Sequence, residues 1–249
     1  GKLIGQGYDG ASVMSGKHKG VAAIVRQTAL MALYIHCHAH RLNLVLVDSV
    51  KSVPIADEFF VFLESLYVFA SGSFVHDLWL SIQRDMYPGE QPKELQKLSD
   101  TRWACRYAAC KTLRDRLPAI IRLLNELESG VKGSRALDAR SLSLNIDARF
   151  VAMLTLMTDL LGRTHTISKM LQSTTVDIGK AADLVNTIQQ QLNDARSEDS
   201  HFENIWTYAQ NTCQQCDLKT ACDQALAGEV LADRVDAGEG LCRARRNRR

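Results

Sequence analysis

The sequence predicts an α/β fold that is mostly helical, because the periodicity of its apolar residues changes along the chain. Residues 1–53 mix short apolar, partly β-branched runs with helical segments, whereas later segments repeat apolar residues every three or four positions. The apolar share of 46% is ample for a globular core in a chain of 249 residues. We therefore expect a small strand–helix–strand unit followed by a large helical region.

The first region carries short apolar runs bounded by turn-forming residues. Residues 2–8 precede a glycine-rich turn, and the apolar run 32–36 has the length of a buried strand. Between them, Val21, Ile24 and Val25 share one side of a helix. The predicted elements are a strand over 2–8, a helix over 21–28, a strand over 32–36 and a helix over 41–53, which Pro54 should end.

The second region is predicted to be a succession of amphipathic helices separated by clusters of Gly, Ser and Pro. The stripe Phe150, Leu154, Met157 and Leu161 is typical of a helix that faces a core. Predicted helices cover 57–69, 74–86, 105–128, 147–171, 176–195 and 201–215, with Asp147 and Asp177 as N-caps or first-turn acids.

The bulk charge does not indicate a partner, since 30 basic and 28 acidic side chains give a net charge of only +2. Any binding to nucleic acid must therefore come from local patches. One patch is the end of the chain, where residues 243–249 include five arginines. We expect 227–249 to be a disordered basic tail, with nuclear import or phosphate binding as the alternative.

The chain has seven cysteines and no apolar run near the roughly 20 residues of a membrane span, which predicts an intracellular protein with reduced thiols. Cys213 and Cys216 have the two-residue gap typical of a pair of zinc ligands, and Cys222 follows them. A second pair at zinc-finger spacing is not evident, and the stretch looks helical. The role of these three cysteines stays open.

The glycine-flanked segment GQGYDGAS places one carboxylate, Asp9, where a strand should meet a helix. By itself this pattern favours an Asx turn or an N-cap. A carboxylate there can also bind Mg²⁺, but metal-assisted phosphoryl transfer needs several carboxylates that together hold two ions. Metal chemistry at Asp9 therefore depends on partner acids.

The imidazoles of His36, His38 and His40 alternate along the chain. In a strand they would share one face, whereas on a helix Cys37 and His40 would lie within one turn. Either geometry could bind zinc if further ligands were supplied. Alternatively, His40 and Arg41 at a helix start could donate hydrogen bonds to phosphate groups.

A third cluster, SDTRWACR at 99–106, pairs Arg102 with Trp103. A guanidinium binds phosphate oxygens in a bidentate manner, and an indole is the largest surface on which an unstacked base can stack. The guanidinium and the indole together provide the groups needed to bind an unstacked nucleotide. Ordinary packing at a helix start is the alternative.

In their order along the chain, the three clusters resemble the hAT superfamily of cut-and-paste DNA transposases and the host proteins domesticated from them, notably the MYM-type zinc-finger group. The matching segments are GQGYDGASVMSG at 5–16, Cys37-x-x-His40 followed by RLNL at 41–44, and SDTRWACR at 99–106. The resemblance covers about residues 1–128 and is weak thereafter. It implies part of a ribonuclease-H-like core over 1–53 and a large helical insertion over 54–226.

The resemblance also implies roles for individual residues. Asp9 would be the second acid of an Asp, Asp, Glu triad and would bind Mg²⁺ only if the partner acids were supplied. Cys37 and His40 would be the family's Cys-x-x-His element beside the active site, with His40 near the DNA backbone. Trp103, preceded by Arg102, would match the tryptophan that stacks at the flipped-out nucleotide during hairpin formation.

This sequence departs from the family pattern in ways that bear on activity. The first acid belongs on an upstream strand that the sequence lacks, and no motif matching the last Glu occurs before Arg249. An N-terminal zinc-finger module and a C-terminal dimerisation segment are also not found, so the sequence is interpreted as a fragment. With one acid of three, this chain should be catalytically inactive and hold no cofactor, whereas a complete homologue would use Mg²⁺.

The sequence therefore predicts a nuclear, transposase-derived nucleic-acid-binding fragment. Its expected partner is DNA of the transposon-end or hairpin type, protein partners stay open, and no membrane association is expected. The alternative is a domesticated nuclear protein-interaction module whose DNA role is lost. A third hypothesis is a zinc-binding module that uses Cys37, His40 and the Cys213–Cys216 pair.

Overall fold

The computed structural model describes residues 3–99, 103–173 and 177–218, and over these residues the chain is mostly helical with one small parallel sheet. A strand–helix–strand unit precedes a large helical region, so the predicted α/β, mostly helical fold class is confirmed at that level. The predicted tail over 227–249 lies outside the described residues, as does Cys222.

The N-terminal unit consists of β1 (Gly5–Tyr8), α1 (Ser12–Ser15), α2 (Val21–Thr28) and β2 (Leu33–His36). The strands are parallel, with Gly5 opposite Leu33 and Tyr8 opposite His36. Both predicted strands and the predicted helix over 21–28 are confirmed, although β1 begins later than predicted. The single turn α1 was not predicted, since a four-residue helix shows no periodicity.

The side chain of Gln6 ties β1 to the rest of this unit. Its Nε2 donates hydrogen bonds to the carbonyl oxygen of Ala22 in α2, at 3.1 Å, and to that of Ala32 just before β2, at 3.0 Å. A buried amide requires such partners, because an unmade hydrogen bond would cost about 1–3 kcal/mol. Gln6 therefore joins β1 to α2 and to the start of β2 by directed bonds.

The next three elements are α3 (His38–Lys51), α4 (Pro54–Ala70) and α5 (Ser73–Met86). Helix α3 begins at His38 rather than at Arg41, the predicted start. Pro54 follows the end of α3, as predicted, but it also occupies the first turn of α4. A proline is tolerated there because the N–H that it lacks would have no partner within the helix.

Helices α6 (Trp103–Asp115), α7 (Leu117–Gly130) and α8 (Ser134–Leu144) come next. The prediction of one helix over 105–128 is wrong, because the helix is interrupted at Arg116, two residues before Pro118. The proline ring fits only in the first turn of a new helix. Helix α8 was missed because it has little apolar face, and Ala139 is its one buried residue.

Helices α9 (Ala148–Leu171), α10 (Ile178–Ser197) and α11 (Asp199–Gln215) complete the described chain. Both predicted N-caps are confirmed. Asp147 Oδ1 accepts a hydrogen bond from the backbone N–H of Phe150 at 2.8 Å, and Asp177 Oδ1 accepts one from that of Lys180 at 3.1 Å. Each such cap stabilises a helix start by about 1 kcal/mol.

One hydrophobic core fills the helical region. Helix α9 lies at its centre and contacts α3, α4, α6, α10 and α11, while α7 packs against α5 and α8. The predicted stripe of α9 is buried in this core. Among the described residues, none before Val47 belongs to it, so the small sheet packs outside it. The largest fully buried apolar side chains are Trp79, Ile120, Leu123, Leu124, Leu127, Leu154, Leu161 and Val151.

No single helix in the described segments is long and apolar enough to cross a membrane, and α4 and α5 pass that test only as a pair bent by 97° at their junction.

Candidate nucleic-acid interface

The carboxyl ends of β1 and β2 bring the first two sequence clusters together. Asp9 directly follows β1, and Cys37 directly follows β2. The Cys37 N–H donates to the carbonyl oxygen of Tyr8 at 2.8 Å, which extends the parallel ladder by one step. Asp9 therefore lies at the same sheet edge as the start of α3, the arrangement that a parallel pair produces.

The carboxylate of Asp9 is exposed and forms the turn that its sequence favours. Its Oδ1 accepts a hydrogen bond from the Ala11 N–H at 3.2 Å, which is the Asx-turn geometry. The hydroxyl of Tyr34 in β2 donates to the Asp9 carbonyl oxygen at 3.1 Å. Within the described chain the other carboxylate oxygen, Oδ2, has no hydrogen-bond partner, so it is available to solvent.

His36 packs against the turn that carries Asp9. A Cβ atom built on Gly10 would lie 2.6 Å from Cε1 of the His36 ring, so only glycine allows this approach. The Nε2 atom of His36 is buried and has no hydrogen-bond partner among the described residues. Its ring lies 5.6 Å from that of His40, centroid to centroid. These contacts fix the imidazole between the Asp9 turn and α3.

Helix α3 settles which geometry the histidine run adopts. The strand ends at His36 and the helix begins at His38, so the three imidazoles do not share a strand face. Cys37 is the residue before the helix, and its carbonyl oxygen accepts the first helical hydrogen bond, from the Arg41 N–H at 3.0 Å. His40 and Arg41 therefore lie in the first turn of α3, which begins at the carboxyl ends of the strands, where Asp9 also lies.

The third cluster is described only in part. Asp100, Thr101 and Arg102 lie outside the described residues, as does the side chain of Trp103, whose backbone begins α6. Helix α6 packs against α3, which carries His40, and against α9. One turn further along α6, the buried Arg106 places its guanidinium carbon 4.5 Å from the centre of the Phe60 ring.

The segment that leads to this cluster has no helix or strand over 91–99 and is held by side chains of the neighbouring helices. Glu64 Oε2 in α4 accepts a hydrogen bond from the Leu98 N–H at 2.9 Å. Trp79 Nε1 and Gln83 Nε2 in α5 both donate to the Lys93 carbonyl oxygen at 3.1 Å. These bonds fix the path of the chain into α6.

Charge is unevenly distributed along the N-terminal part of the sequence, a feature that the bulk net charge hides. Between Asp9 and Asp48 there is no acidic residue, while four lysines and arginines and four histidines occur. The cations are Lys17, Lys19, Arg26 and Arg41, and all four are exposed. Counting charge in windows along the sequence would have found this stretch. The local electrostatics therefore favour an anionic partner.

One face of the sheet is uncovered. Leu33 and Ile35 in β2 are 62% and 55% exposed, whereas Gln6 on the opposite face of β1 is buried. Each strand pairs on one edge only within the described residues. Over the described residues, the sheet therefore has an exposed apolar face and two unpaired edges.

The cysteines and histidines of the described chain form no group of three or more potential metal ligands, and Asp9 has no such group around it. Cys213 is fully buried in the helical core, where burial raises the pKa of its thiol to about 11, and burial also raises the pKa of Cys216. A buried thiol of this kind stays protonated at neutral pH. Cys37, by contrast, is exposed at the start of α3.

Comparison with known proteins finds no family model that matches the chain and no solved structure that matches it.

Proposed function

We propose that this chain is a transposase-derived, nucleic-acid-binding protein whose residues 1–53 are part of a ribonuclease-H-like core and whose residues 54–226 are a helical insertion. One observation carries the proposal. A parallel strand–helix–strand unit gathers Asp9, His36 and the first turn of α3, with His40 and Arg41, at a single sheet edge. Apart from Asp9, the residues at that edge belong to a stretch of 38 residues, 10–47, that contains no acid.

The open sheet supports the ribonuclease-H-like part of the proposal. Such a core is built on a larger mixed sheet, to which further strands would add at the unpaired edges and against the exposed face of Leu33 and Ile35. The hydrophobic core of the helical region begins at Val47 in α3, so the sheet lies outside it, which supports treating the sheet as a unit separate from the helical region.

The residues present do not fit a two-metal site. Asp9 offers one exposed carboxylate, and among the described residues it belongs to no group of three or more His, Cys, Asp and Glu side chains that could hold a metal ion. Two Mg²⁺ ions require several converging carboxylates. We therefore assign the Asp9 edge a binding role and derive no cleavage chemistry for this chain, which is proposed to act in the nucleus without a metal cofactor.

The function is tested by the affinity of the purified chain for a fluorescent DNA hairpin at low salt, measured by anisotropy. If Trp103 stacks on an unpaired base, Trp103→Ala should weaken binding by about 1–3 kcal/mol, roughly 5- to 150-fold. Tyr208→Ala is the matched control, since Tyr208 is an exposed aromatic on α11, remote from the motif in sequence. Absence of DNA affinity at low salt would refute the proposal.

A second candidate, a nuclear protein-interaction module, has its own support in α4. Val61 and Val68 lie two turns apart on this helix and are 63% and 61% exposed. Exposed apolar side chains on one face of a helix are available for contact with a protein partner. A chain that binds no DNA, but loses a nuclear protein partner on Val61→Ser and Val68→Ser, would favour this function.

A further inference from the structure

An open groove of about 610 Å³ lies beside the Asp9 turn, between the loop after α1 and helix α2. Lys17, His18 and Arg26 line it, together with the polar side chains of Gln27 and Tyr34. Tyr34 connects the groove to the turn, because its hydroxyl donates to the Asp9 carbonyl oxygen. A ligand in the groove would therefore lie next to the sheet edge.

The groove is positively charged and its cations are not neutralised. No acidic residue is among those that line it, and within the described chain neither Lys17 nor Arg26 forms an ion pair. In the helical region several cations do form ion pairs: Lys93 pairs with Asp115, and Arg122 pairs with Asp85 and Glu126. Unopposed cations in a concave surface concentrate anions.

The loop that carries Lys17 and His18 is held in one tight conformation. Gly20 N–H donates to the Gly16 carbonyl oxygen at 3.1 Å, which closes the loop. A Cβ on Gly16 would lie 2.5 Å from the Ser12 carbonyl oxygen, and one on Gly20 would lie 2.4 Å from the Gly16 nitrogen. The loop backbone is thus fixed before any ligand arrives, which reduces the entropy cost of binding.

We propose that this groove binds the phosphodiester backbone of DNA, with Lys17 and Arg26 as the phosphate contacts. This inference rests on the proposed function and deepens it, since it names the residues that hold the DNA backbone. The groove is open to solvent rather than an enclosed pocket for one phosphate, and Lys17, Lys19 and Arg26 are exposed within 10 residues of one another in the acid-free stretch. A repeating polyanion matches that arrangement.

The test compares the chain with the double variant Lys17→Gln, Arg26→Gln on a DNA hairpin with a duplex stem, over a range of salt concentrations. Two lost phosphate contacts should reduce the slope of log affinity against log salt by about 1.8, at about 0.9 per contact on duplex DNA. If the affinities converge at 1 M salt, the loss at 0.1 M is roughly 60-fold. The loss should be similar for stems of different sequence, because phosphates carry no sequence information.

The double variant Arg84→Gln, Lys132→Gln is the matched control, because it removes two charges from exposed cations that do not line the groove. Circular dichroism checks that all variants fold, and the single variant Lys17→Gln should show about half of the slope change.

If the variant Lys17→Gln, Arg26→Gln keeps the affinity and salt slope of the unmodified chain, the groove proposal is wrong while the DNA-binding function stands. If it weakens binding to a polyglutamate peptide but not to DNA, the groove takes an acidic protein instead. An unmodified chain that binds no DNA overturns both proposals.

Discussion

The side chain of Gln83 forms a two-way hydrogen-bond pair with the backbone of Lys93. Its Oε1 accepts from the Lys93 N–H at 2.9 Å, and its Nε2 donates to the Lys93 carbonyl oxygen at 3.1 Å. The amide thus makes to Lys93 the two backbone hydrogen bonds that a neighbouring β-strand would make. The same Oε1 accepts from Nε of the buried Arg116 at 3.2 Å, so one side chain links α5, the 91–99 segment and the break between α6 and α7.

Gln83→Met should therefore lower the free energy of unfolding by about 2–3 kcal/mol, although the two side chains have similar volumes. Gln83 is 1% exposed, and its loss leaves the Lys93 N–H and the Arg116 Nε without this acceptor, at about 1 kcal/mol or more each. Urea unfolding monitored by circular dichroism measures the change. Gln96→Met is the control, because Gln96 is exposed in the same segment and should shift the stability by less than 0.5 kcal/mol, as is typical of surface positions. Equal effects of the two substitutions would contradict this role of Gln83.

The contact of Gly10 with His36 gives a second prediction. Gly10→Ala would place a methyl group 2.6 Å from His36 Cε1, so the imidazole must move away from the Asp9 turn. We expect a change in the His36 ring resonances by NMR and a loss of stability of about 1–3 kcal/mol, the usual cost of overpacking. Combining Gly10→Ala with His36→Ala should recover most of that loss, since the clashing ring is gone. An unchanged His36 resonance in Gly10→Ala would show that the two residues are not in contact.

The buried thiols predict how stability depends on pH at the alkaline end. Burial raises the pKa of Cys110 to about 12 and that of Cys213 to about 11, from an ordinary value of 9. The unfolded chain therefore loses these protons first as the pH rises above 9, while the folded chain keeps them. The stabilisation is fully present below pH 9 and is lost between about pH 9 and 12.

This dependence is measured by urea unfolding at pH 8, 9.5 and 10.5. Tyr and Lys residues also titrate in this range, so the informative quantity is the difference between variants. Between pH 8 and 10.5, Cys213→Ala should lose less of its free energy of unfolding than the unmodified chain does. Cys37→Ala, which removes an exposed thiol, should lose as much as the unmodified chain. If Cys213→Ala and Cys37→Ala lose stability in parallel, the Cys213 thiol is not buried as described.

The predictions from the sequence were most accurate where interactions between residues close in the chain determine the local structure. The caps at Asp147 and Asp177 and the stripe of α9 depend on short-range hydrogen bonds and on periodicity, and both can be recognised from the chain. The break at Arg116 was missed because the apolar pattern continues across it, although Pro118 was a visible signal. Helix α8 could not be predicted from periodicity, since its packing depends on α7 rather than on an apolar face of its own.

The candidate site shows the same division. Asp9, His40 and Arg41 were identified from the sequence, and the parallel register brings their segments to one edge. His36 was considered only as a member of an alternating run, because its contact with Gly10 depends on how β2 lies beside the turn after β1. The groove cations Lys17 and Arg26 come together only through the fold of the loop after α1, although the acid-free stretch that contains them is visible in the sequence.

Asp9 itself allows a prediction that separates a binding role from a catalytic one. Asp9→Asn keeps the acceptor oxygen that the Ala11 N–H needs, so the turn should form as before, but it removes the negative charge that directly precedes the acid-free stretch 10–47 with its four exposed cations. A unit charge about 4 Å from a phosphate in water is worth about 1 kcal/mol, so DNA affinity at low salt should rise by up to about fivefold. Hairpin DNA anisotropy measures this change in affinity, with Asp48→Asn on α3 as a control for general charge effects.

Incubation of the unmodified chain and of Asp9→Asn with Mg²⁺ or Mn²⁺ and a labelled duplex should give no cleavage, because one carboxylate cannot hold two ions. Metal-dependent cleavage by the unmodified chain that Asp9→Asn abolishes would instead show that Asp9 is a working catalytic acid.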